Sequence, residues 1–272
     1  MTAALGAAAA WGISDFLAGV LGHRLPVLTI LFGSELAAMA LVLLALAARG
    51  ELPAWDARLW LAVVAGLVGL PAMGLLYRAM RDGTPAVVAP VAAIGALVPV
   101  GWGLLHGERL GLATGLGVVA GLVGATMASW PVPGGERNRL RHSANLCALG
   151  AALGLGVFFV LLHEAGQADQ LAALAVARTT EGVIALFLAM ALNRFDRRLM
   201  GASIIVVGGL DVAADAAFIA SATAALAPAA VVASLYPAVT LLLNRSFLRE
   251  RLHAVHLCGV FAALVAVACL AR

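Results

Sequence analysis

Six ionisable side chains lie inside long apolar stretches of this 272-residue sequence, where an uncompensated charge is expensive in free energy. They are Asp15, Glu35, Arg178, Glu181, Asp211 and Asp215. Because five acids accompany one arginine, full ionisation would leave about four negative charges without a counter-charge in an apolar interior. Protons, water or a cationic ligand must then supply the balance. The set therefore favours proton coupling or a substrate that carries an amine.

Asp211 and Asp215 are four residues apart, which places them one turn apart on one face of a helix. Two carboxylates so close in a low-dielectric medium repel each other, so the pair is predicted to titrate as a unit. This spacing predicts a proton-coupling site. The alternative is that both carboxylates bond to neighbouring helices and only organise the bundle.

Arg178 and Glu181 are three residues apart and can form an ion pair within one helix. Such a pair would neutralise itself and set the orientation of the helix. In the other interpretation, Arg178 holds a substrate carboxylate through two hydrogen bonds. Glu35 falls at about the equivalent place in the first half of the chain and could bond to Arg178. Glu35 and Glu181 are therefore assigned as charge-pair support.

Trp11 precedes Asp15 by four residues, so an aromatic ring and an acid share one helix face. This pairing suits a cavity wall with one aromatic and one acid, and both residues are predicted to bind substrate. Packing against a neighbouring helix is the alternative role for each.

The surrounding composition is that of a multi-span membrane protein. Hydrophobic residues make up 63% of the chain, charged residues 11%, and the mean hydropathy is +1.04. Soluble domains are about 45–50% apolar and about 25% charged, so a soluble, disordered or nucleic-acid-binding protein is excluded. The three cysteines lie in apolar segments without metal-ligand spacing. No metal, cofactor or catalytic set is predicted, so the protein is not expected to be an enzyme.

Apolar runs bounded by Arg, Gly, Pro or acids predict ten membrane-spanning helices. The predicted spans are 3–22, 27–48, 59–77, 85–105, 111–130, 144–162, 171–192, 201–223, 226–244 and 253–271. Most of the 17 arginines lie in loops after odd-numbered spans, which by the positive-inside rule favours placing both termini outside.

The two halves of the chain resemble each other, which predicts a repeat of five spans. Ala4–Ala8 recurs as Ala148–Ala152, and Glu108–Leu110 recurs as Glu250–Leu252. Because five is odd, the second copy must enter the membrane from the opposite side, as in many secondary transporters. The predicted fold is an all-α integral membrane protein of ten transmembrane helices in two inverted five-helix repeats. The predicted units are a repeat at 1–130, a polar linker at 131–143 and a repeat at 144–272.

Five short segments make the sequence similar to the bacterial EamA family of the drug/metabolite transporter superfamily. They are Trp11–Phe16, Tyr77–Ala79, Gly107–Leu110, Ser234–Thr240 and Arg249–Leu252. Arg249 departs from the pattern, since the family usually has glycine there. The resemblance implies a central cavity lined by spans 1, 3, 4, 6, 8 and 9, with Tyr236 binding substrate from span nine. It also implies cytoplasmic termini, so the orientation stays open.

We therefore expect a proton-coupled secondary transporter that exports or exchanges a small amine-bearing or amphipathic metabolite, such as an amino acid. Its location would be the bacterial inner membrane, as a monomer or weak homodimer with small-molecule substrate, protons and lipid as partners. The alternative is a non-transporting membrane scaffold or a flippase-like protein for a lipid carrier. A scaffold should bury all six charges in satisfied pairs.

Overall fold

The computed structural model describes residues 1–22, 24–51, 53–82, 94–109, 111–128, 141–193, 201–247 and 254–270. Within these ranges the secondary structure is helical and contains no strand, so the predicted all-α class is confirmed. In chain order the helices are α1 (Thr2–Gly22), α2 (Val27–Arg49), α3 (Leu59–Asp82), α4 (Leu97–Leu105, preceded by a 3-10 turn at Ile94–Ala96), α5 (Leu112–Ala128), α6 (Arg141–Gly166), α7 (Gln170–Ala191), α8 (Ala202–Ala222), α9 (Leu226–Ala233), α10 (Tyr236–Phe247) and α11 (Ala254–Leu270).

Seven segments of the described chain are long and apolar enough to cross a membrane. They are Thr2–Gly22, Val27–Arg49, Leu59–Ala79, Leu146–Gly166, Gln170–Ala191, Ala202–Ala222 and Leu226–Phe247. Shorter apolar helices at Leu112–Gly124 and Leu257–Ala266 fall in predicted spans five and ten. Predicted span four extends outside the described residues, which begin there at the turn before α4. The protein is a multi-pass membrane protein, and its large outward apolar side chains are suited to lipid.

Predicted span nine is not one continuous helix. Helix α9 ends at Ala233 and α10 begins at Tyr236. Ser234 and Leu235 form the turn, in which the Leu235 N–H donates to Val232 O at 3.2 Å. Pro237 has no N–H, and its ring would clash with the carbonyl oxygen four residues earlier in a continuous helix. The proline is tolerated in the first turn of a new helix. The break lies against the central cavity.

Small residues let the helices around that cavity approach one another closely. Helix α1 packs on α8, α2 on α7, and α3 on both α6 and α7. Alanines at the contact of α3 with α7 are almost completely buried, including Ala62, Ala65, Ala173 and Ala177. Short side chains are typical of helix contacts in lipid, where apolar burial alone gives little drive for association. The polar side chains on the same helices are thereby fixed around one space.

An ion pair joins the end of α2 to the start of α7. Asp169 caps α7 by accepting a hydrogen bond from the Ala172 N–H at 2.9 Å, and it also pairs with Arg49. Partial burial raises the pKa of Asp169, but the Ala172 amide and the Arg49 guanidinium outweigh that effect and lower the pKa below its usual value. The C-terminal end of α2 and the N-terminal end of α7 are therefore held together by a partly exposed ion pair.

Candidate functional site

A cavity with about 910 Å³ of empty space, counted with its open side, lies among the helices of the bundle. All eight residues that the sequence analysis assigned to the site line this cavity: Trp11, Asp15, Glu35, Arg178, Glu181, Asp211, Asp215 and Tyr236. Helices α1, α2, α7, α8 and α10 contribute them. Residues far apart in the sequence are thus brought together around one space.

Arg178 is the centre of an ion network that joins α2, α7 and α8. Its Nη1 atom donates to Glu35 Oε2 and to Glu181 Oε2, each at 3.0 Å. Its Nε atom donates to Asp215 Oδ2 at 3.0 Å, and Nη2 lies 2.7 Å from the same oxygen. The expected contact between Arg178 and Glu35 is present. The pair of Arg178 with Glu181, expected within one helix, is therefore one part of a larger network.

The side chains of the ion network are almost completely buried. Arg178 is 6% exposed, Glu35 and Glu181 are 2% exposed, and Asp215 is 1% exposed. Removing one partner from a buried ion pair typically costs about 3–5 kcal/mol, because the other charge is left without compensation. Three carboxyl groups share one guanidinium, so full ionisation would leave a net negative charge in the protein interior. Additional positive charge is therefore favoured at this point.

Asp211 and Asp215 lie one turn apart on α8 but in different surroundings. Asp215 holds Arg178 and has Trp11 as a neighbour. Asp211 has the hydroxyl group of Ser14 as its neighbour instead. Among the described residues, the ion pairs of Arg178 do not include Asp211. The coupling role of the two carboxyl groups stays a prediction, but their partners show that they are not equivalent.

Asp15 lies on the cavity wall without belonging to the ion network. It is half-buried on α1, close to Tyr236, and no ion pair joins it to a base within the described part of the chain. Its carboxyl group therefore lies where a ligand in the cavity can contact it. The substrate-binding role of Asp15 stays a prediction.

An aromatic wall faces these carboxyl groups. The ring centroid of Trp11 lies 5.1 Å from that of Phe159, 6.0 Å from Phe218 and 6.4 Å from Tyr236. The rings of Phe159 and Phe218 are 4.8 Å apart. Sequence analysis missed both phenylalanines. Phe218 follows Asp215 by three residues, and this spacing was a usable signal for a shared face of α8.

A second polar cluster lies at the ends of α4, α6 and α9. The Glu108 carboxylate accepts hydrogen bonds from the Leu226 N–H at 2.6 Å and the Ala227 N–H at 3.0 Å, which caps the start of α9. The indole N–H of Trp102 donates to Glu164 Oε1 at 2.8 Å. These contacts join helices that also form the cavity, and the sequence analysis did not assign them a role.

The fold and the site define a class of protein: a multi-pass membrane protein whose helices surround a charged central cavity. Residues 1–130 match the EamA-like transporter family. The resemblance inferred from the sequence is confirmed over these residues, which make up just under half of the chain. The family implies a small-molecule substrate and a lipid environment.

A solved structure supports the same overall fold over nearly the whole chain. It is a crystal structure of another protein, with a TM-score of 0.78 and 17% sequence identity. The similarity covers 98% of this chain and 94% of the other. At that identity the likeness concerns the fold alone. No curated protein matches the sequence.

Proposed function

We propose that the protein is a secondary active transporter that exports or exchanges a small amine-bearing or amphipathic metabolite in exchange for protons. The observation that carries the proposal is the cavity itself, where five carboxyl groups and one guanidinium lie beside an aromatic wall. A scaffold would bury all its charges in satisfied pairs, whereas Asp15 and Asp211 lie on the cavity wall outside the ion pairs described. The transporter is therefore favoured over the scaffold or flippase-like alternative.

The charge balance of the cavity supports a cationic substrate. Charged groups in an apolar interior need a partner, and Arg178 offers only one positive charge to the five acids. Trp11 and Tyr236 add ring faces, which attract ammonium groups by about 0.5–2 kcal/mol. An amine that contacts Asp15 while its apolar part lies against these rings satisfies both features. Asp15, Trp11 and Tyr236 are therefore the proposed substrate-binding residues.

Proton coupling is assigned to Asp211 and Asp215, with Glu35 and Glu181 supporting the network. Asp215 is fixed by Arg178, so Asp211 is the member of the pair that can exchange a proton with less disruption. When an amine enters, its positive charge replaces the proton on Asp211, and that proton leaves to the water on the side from which the amine came. Competition of amine and proton for the same negative charge makes the two fluxes opposite.

An inverted repeat of five spans is the proposed architecture, and the helix packing supports it. With α4 as span four and α9 plus α10 as span nine, a shift of five spans relates α1 to α6 and α3 to α8. The contact of α3 with α6 then corresponds to that of α8 with α1, and α2 with α7 corresponds to itself. The contact between α5 and α11 also corresponds to itself.

Two glycines at helix contacts support the same repeat. A Cβ atom on Gly66 would lie 2.6 Å from Ala177 O, and one on Gly208 would approach Ser34 O even more closely. Gly66 and Gly208 differ by 142 positions, and Ser34 and Ala177 differ by 143. The same close approach thus recurs at matching places. We propose repeats at 1–130 and 144–272 with a linker at 131–143, in a bacterial inner membrane, as a monomer or weak homodimer.

Transport of radiolabelled tyramine into proteoliposomes tests the proposal. An acidic interior should drive uptake beyond that of protein-free liposomes, which account for the neutral amine that crosses lipid unaided. Asp211→Asn should lower the protein-dependent, pH-driven uptake at least about tenfold, because the exchanged proton is lost. Glu51→Gln, an exposed acid after α2, should leave uptake unchanged. Uptake that equals the protein-free value would contradict the proposed function.

A further inference from the structure

We infer that the cavity selects amines that lack a carboxylate and rejects the corresponding amino acids. The inference rests on the proposed function and narrows its substrate class. The sequence pattern left open that Arg178 could hold a substrate carboxylate. The geometry points to the opposite, because the protein's own carboxylates already occupy Arg178 and the amides at the start of α9.

The first of these groups is the guanidinium of Arg178. Its Nε–H goes to Asp215, and both N–H groups of Nη1 go to Glu35 and Glu181. One N–H of Nη2 faces Asp215 at 2.7 Å. A substrate carboxylate needs two neighbouring N–H groups for bidentate recognition. No such pair is left on Arg178.

The second group is the start of a helix, which in many transporters holds an anionic part of the substrate. At the start of α9, the Leu226 and Ala227 amides are bound by the Glu108 carboxylate. At the start of α10, Pro237 has no N–H, and the Ala238 N–H donates to Leu235 O at 2.9 Å. Both helix starts are therefore poor sites for an incoming carboxylate.

The remaining lining repels anions. Arg178 is the one basic side chain among the described residues that line the cavity. Wherever the ammonium group of a ligand contacts Asp15 or Asp211, a carboxylate on the neighbouring carbon would lie close to the same acids. Like charges at such a distance in low dielectric repel strongly. An ammonium group without that neighbour gains the attraction and avoids the repulsion.

Three ligands with the same ring test this selectivity: tyramine, tyrosinamide and tyrosine. Tyrosinamide has almost the size of tyrosine but no carboxylate, so it separates the effect of charge from that of volume. Isothermal titration calorimetry on the purified wild-type protein at pH 7 should show that tyramine and tyrosinamide bind and that tyrosine binds at least about tenfold more weakly. Tyrosine binding as tightly as tyrosinamide would overturn the inference and leave the proposed function standing. Failure of all three to bind would overturn both.

The variant Glu35→Gln provides a second test, since it removes one negative charge beside Nη1 of Arg178. The preference for tyrosinamide over tyrosine should fall at least about threefold, mainly through tighter binding of tyrosine. Glu51→Gln is the matched control, because its exposed carboxyl group lies outside the cavity lining, and it should keep the wild-type ratio. An unchanged ratio in folded Glu35→Gln would contradict the role of Arg178. If that variant does not fold, the wild-type comparison of tyrosinamide with tyrosine decides the matter.

Discussion

The two halves of the chain place related positions in the same cavity but fill them with different chemistry. Asp211 on α8 and Gly69 on α3 differ by 142 positions, and both line the cavity. Asp215 and Met73 are related in the same way. The second half thus presents two carboxyl groups where the first half presents bare backbone and a thioether. Helices at related positions in the two halves can therefore form an acidic wall of the cavity on α8 and an apolar wall on α3.

The difference is reversed at another pair of positions. Asp15 on α1 corresponds to Phe159 on α6, so here the first half supplies the acid and the second half the ring. Glu35 and Arg178, which differ by 143 positions, carry opposite charges and bond directly to each other at 3.0 Å. Because α2 packs on α7, related positions on these two helices meet. The packing of the helices thus determines which positions meet, and the side chains at those positions determine what they bind.

The largest effect is expected where the two halves meet, at Arg178. Arg178→Gln should lower the free energy of unfolding by about 3–5 kcal/mol, because Glu35, Glu181 and Asp215 lose their shared counter-charge. Thermal unfolding in detergent measures the loss. Arg58→Gln, an exposed arginine before α3, is the control and should change little. A variant at Arg178 as stable as this control would refute the central role of the network.

The next effect tests whether α3 tolerates a side chain where α8 carries Asp211. A Cβ atom at Gly69 would contact the Glu181 carboxylate and lie 2.9 Å from Phe158 Cδ2. Gly69→Ala should therefore destabilise the protein by about 1–3 kcal/mol, through overpacking. Gly74→Ala in the same helix meets nothing within 4 Å and should be neutral or slightly stabilising. Equal unfolding temperatures for the two variants would show that α3 does tolerate a side chain at position 69.

A smaller effect is expected at the aromatic wall, where Trp11 from the first half contacts rings of the second. Trp11→Leu should weaken tyramine binding about threefold to tenfold, because a ring face near the ammonium group is lost. Calorimetric titration of both proteins measures the change. Trp60→Leu, an exposed tryptophan on α3, removes the same ring elsewhere and should bind like wild type. If both variants lose affinity alike, the wall has no specific part in binding.

The smallest effect is expected at the partly exposed contact of Arg49 with Asp169, on the same two helices as the buried pair. Asp169→Ala should cost about 1 kcal/mol at neutral pH, mainly through loss of the helix cap. Because folding lowers the pKa of Asp169, its stabilisation is complete above the usual aspartate pKa of about 4 and is lost as the pH falls through the lowered value. Unfolding measured from pH 7 to pH 3 should show the variant and wild type converge. A gap that widens in acid would contradict this sign.

Much of the site could be predicted from sequence because charge is conspicuous in an apolar chain. Lipid makes each buried acid or base expensive in free energy, so the six ionisable residues were expected to share one site away from lipid. The ion pair of Glu35 with Arg178 was also accessible, since the repeat relates their positions. The connection of Asp215 to Arg178 was not, because it depends on how α8 packs on α7 and α2.

The aromatic wall and the cap on α9 are features that the sequence did not predict. Phe159 and Phe218 are apolar residues in an apolar sequence, so their types give no contrast with their surroundings. Glu108 lay in a segment that resembled the family, but its partners are 118 and 119 residues away. Pro237 explains the break before Tyr236, whereas the position of that break against the cavity required the tertiary structure. The sequence therefore did not predict contacts between distant segments that lack a conspicuous charged residue.

The ion network also imposes an order on biogenesis. Glu35 is synthesised 143 residues before Arg178, and Asp215 follows Arg178 by another 37. Each charged residue at the centre of a helix disfavours insertion by about 2.5–3.5 kcal/mol. Helix α2 therefore enters the membrane with a carboxyl group whose partner Arg178 is absent until α7 is made, and the network closes only after α8. The network is thus complete before α9, α10 and α11 are made, and a nascent chain stopped before α7 exposes an unmatched acid to cellular quality control.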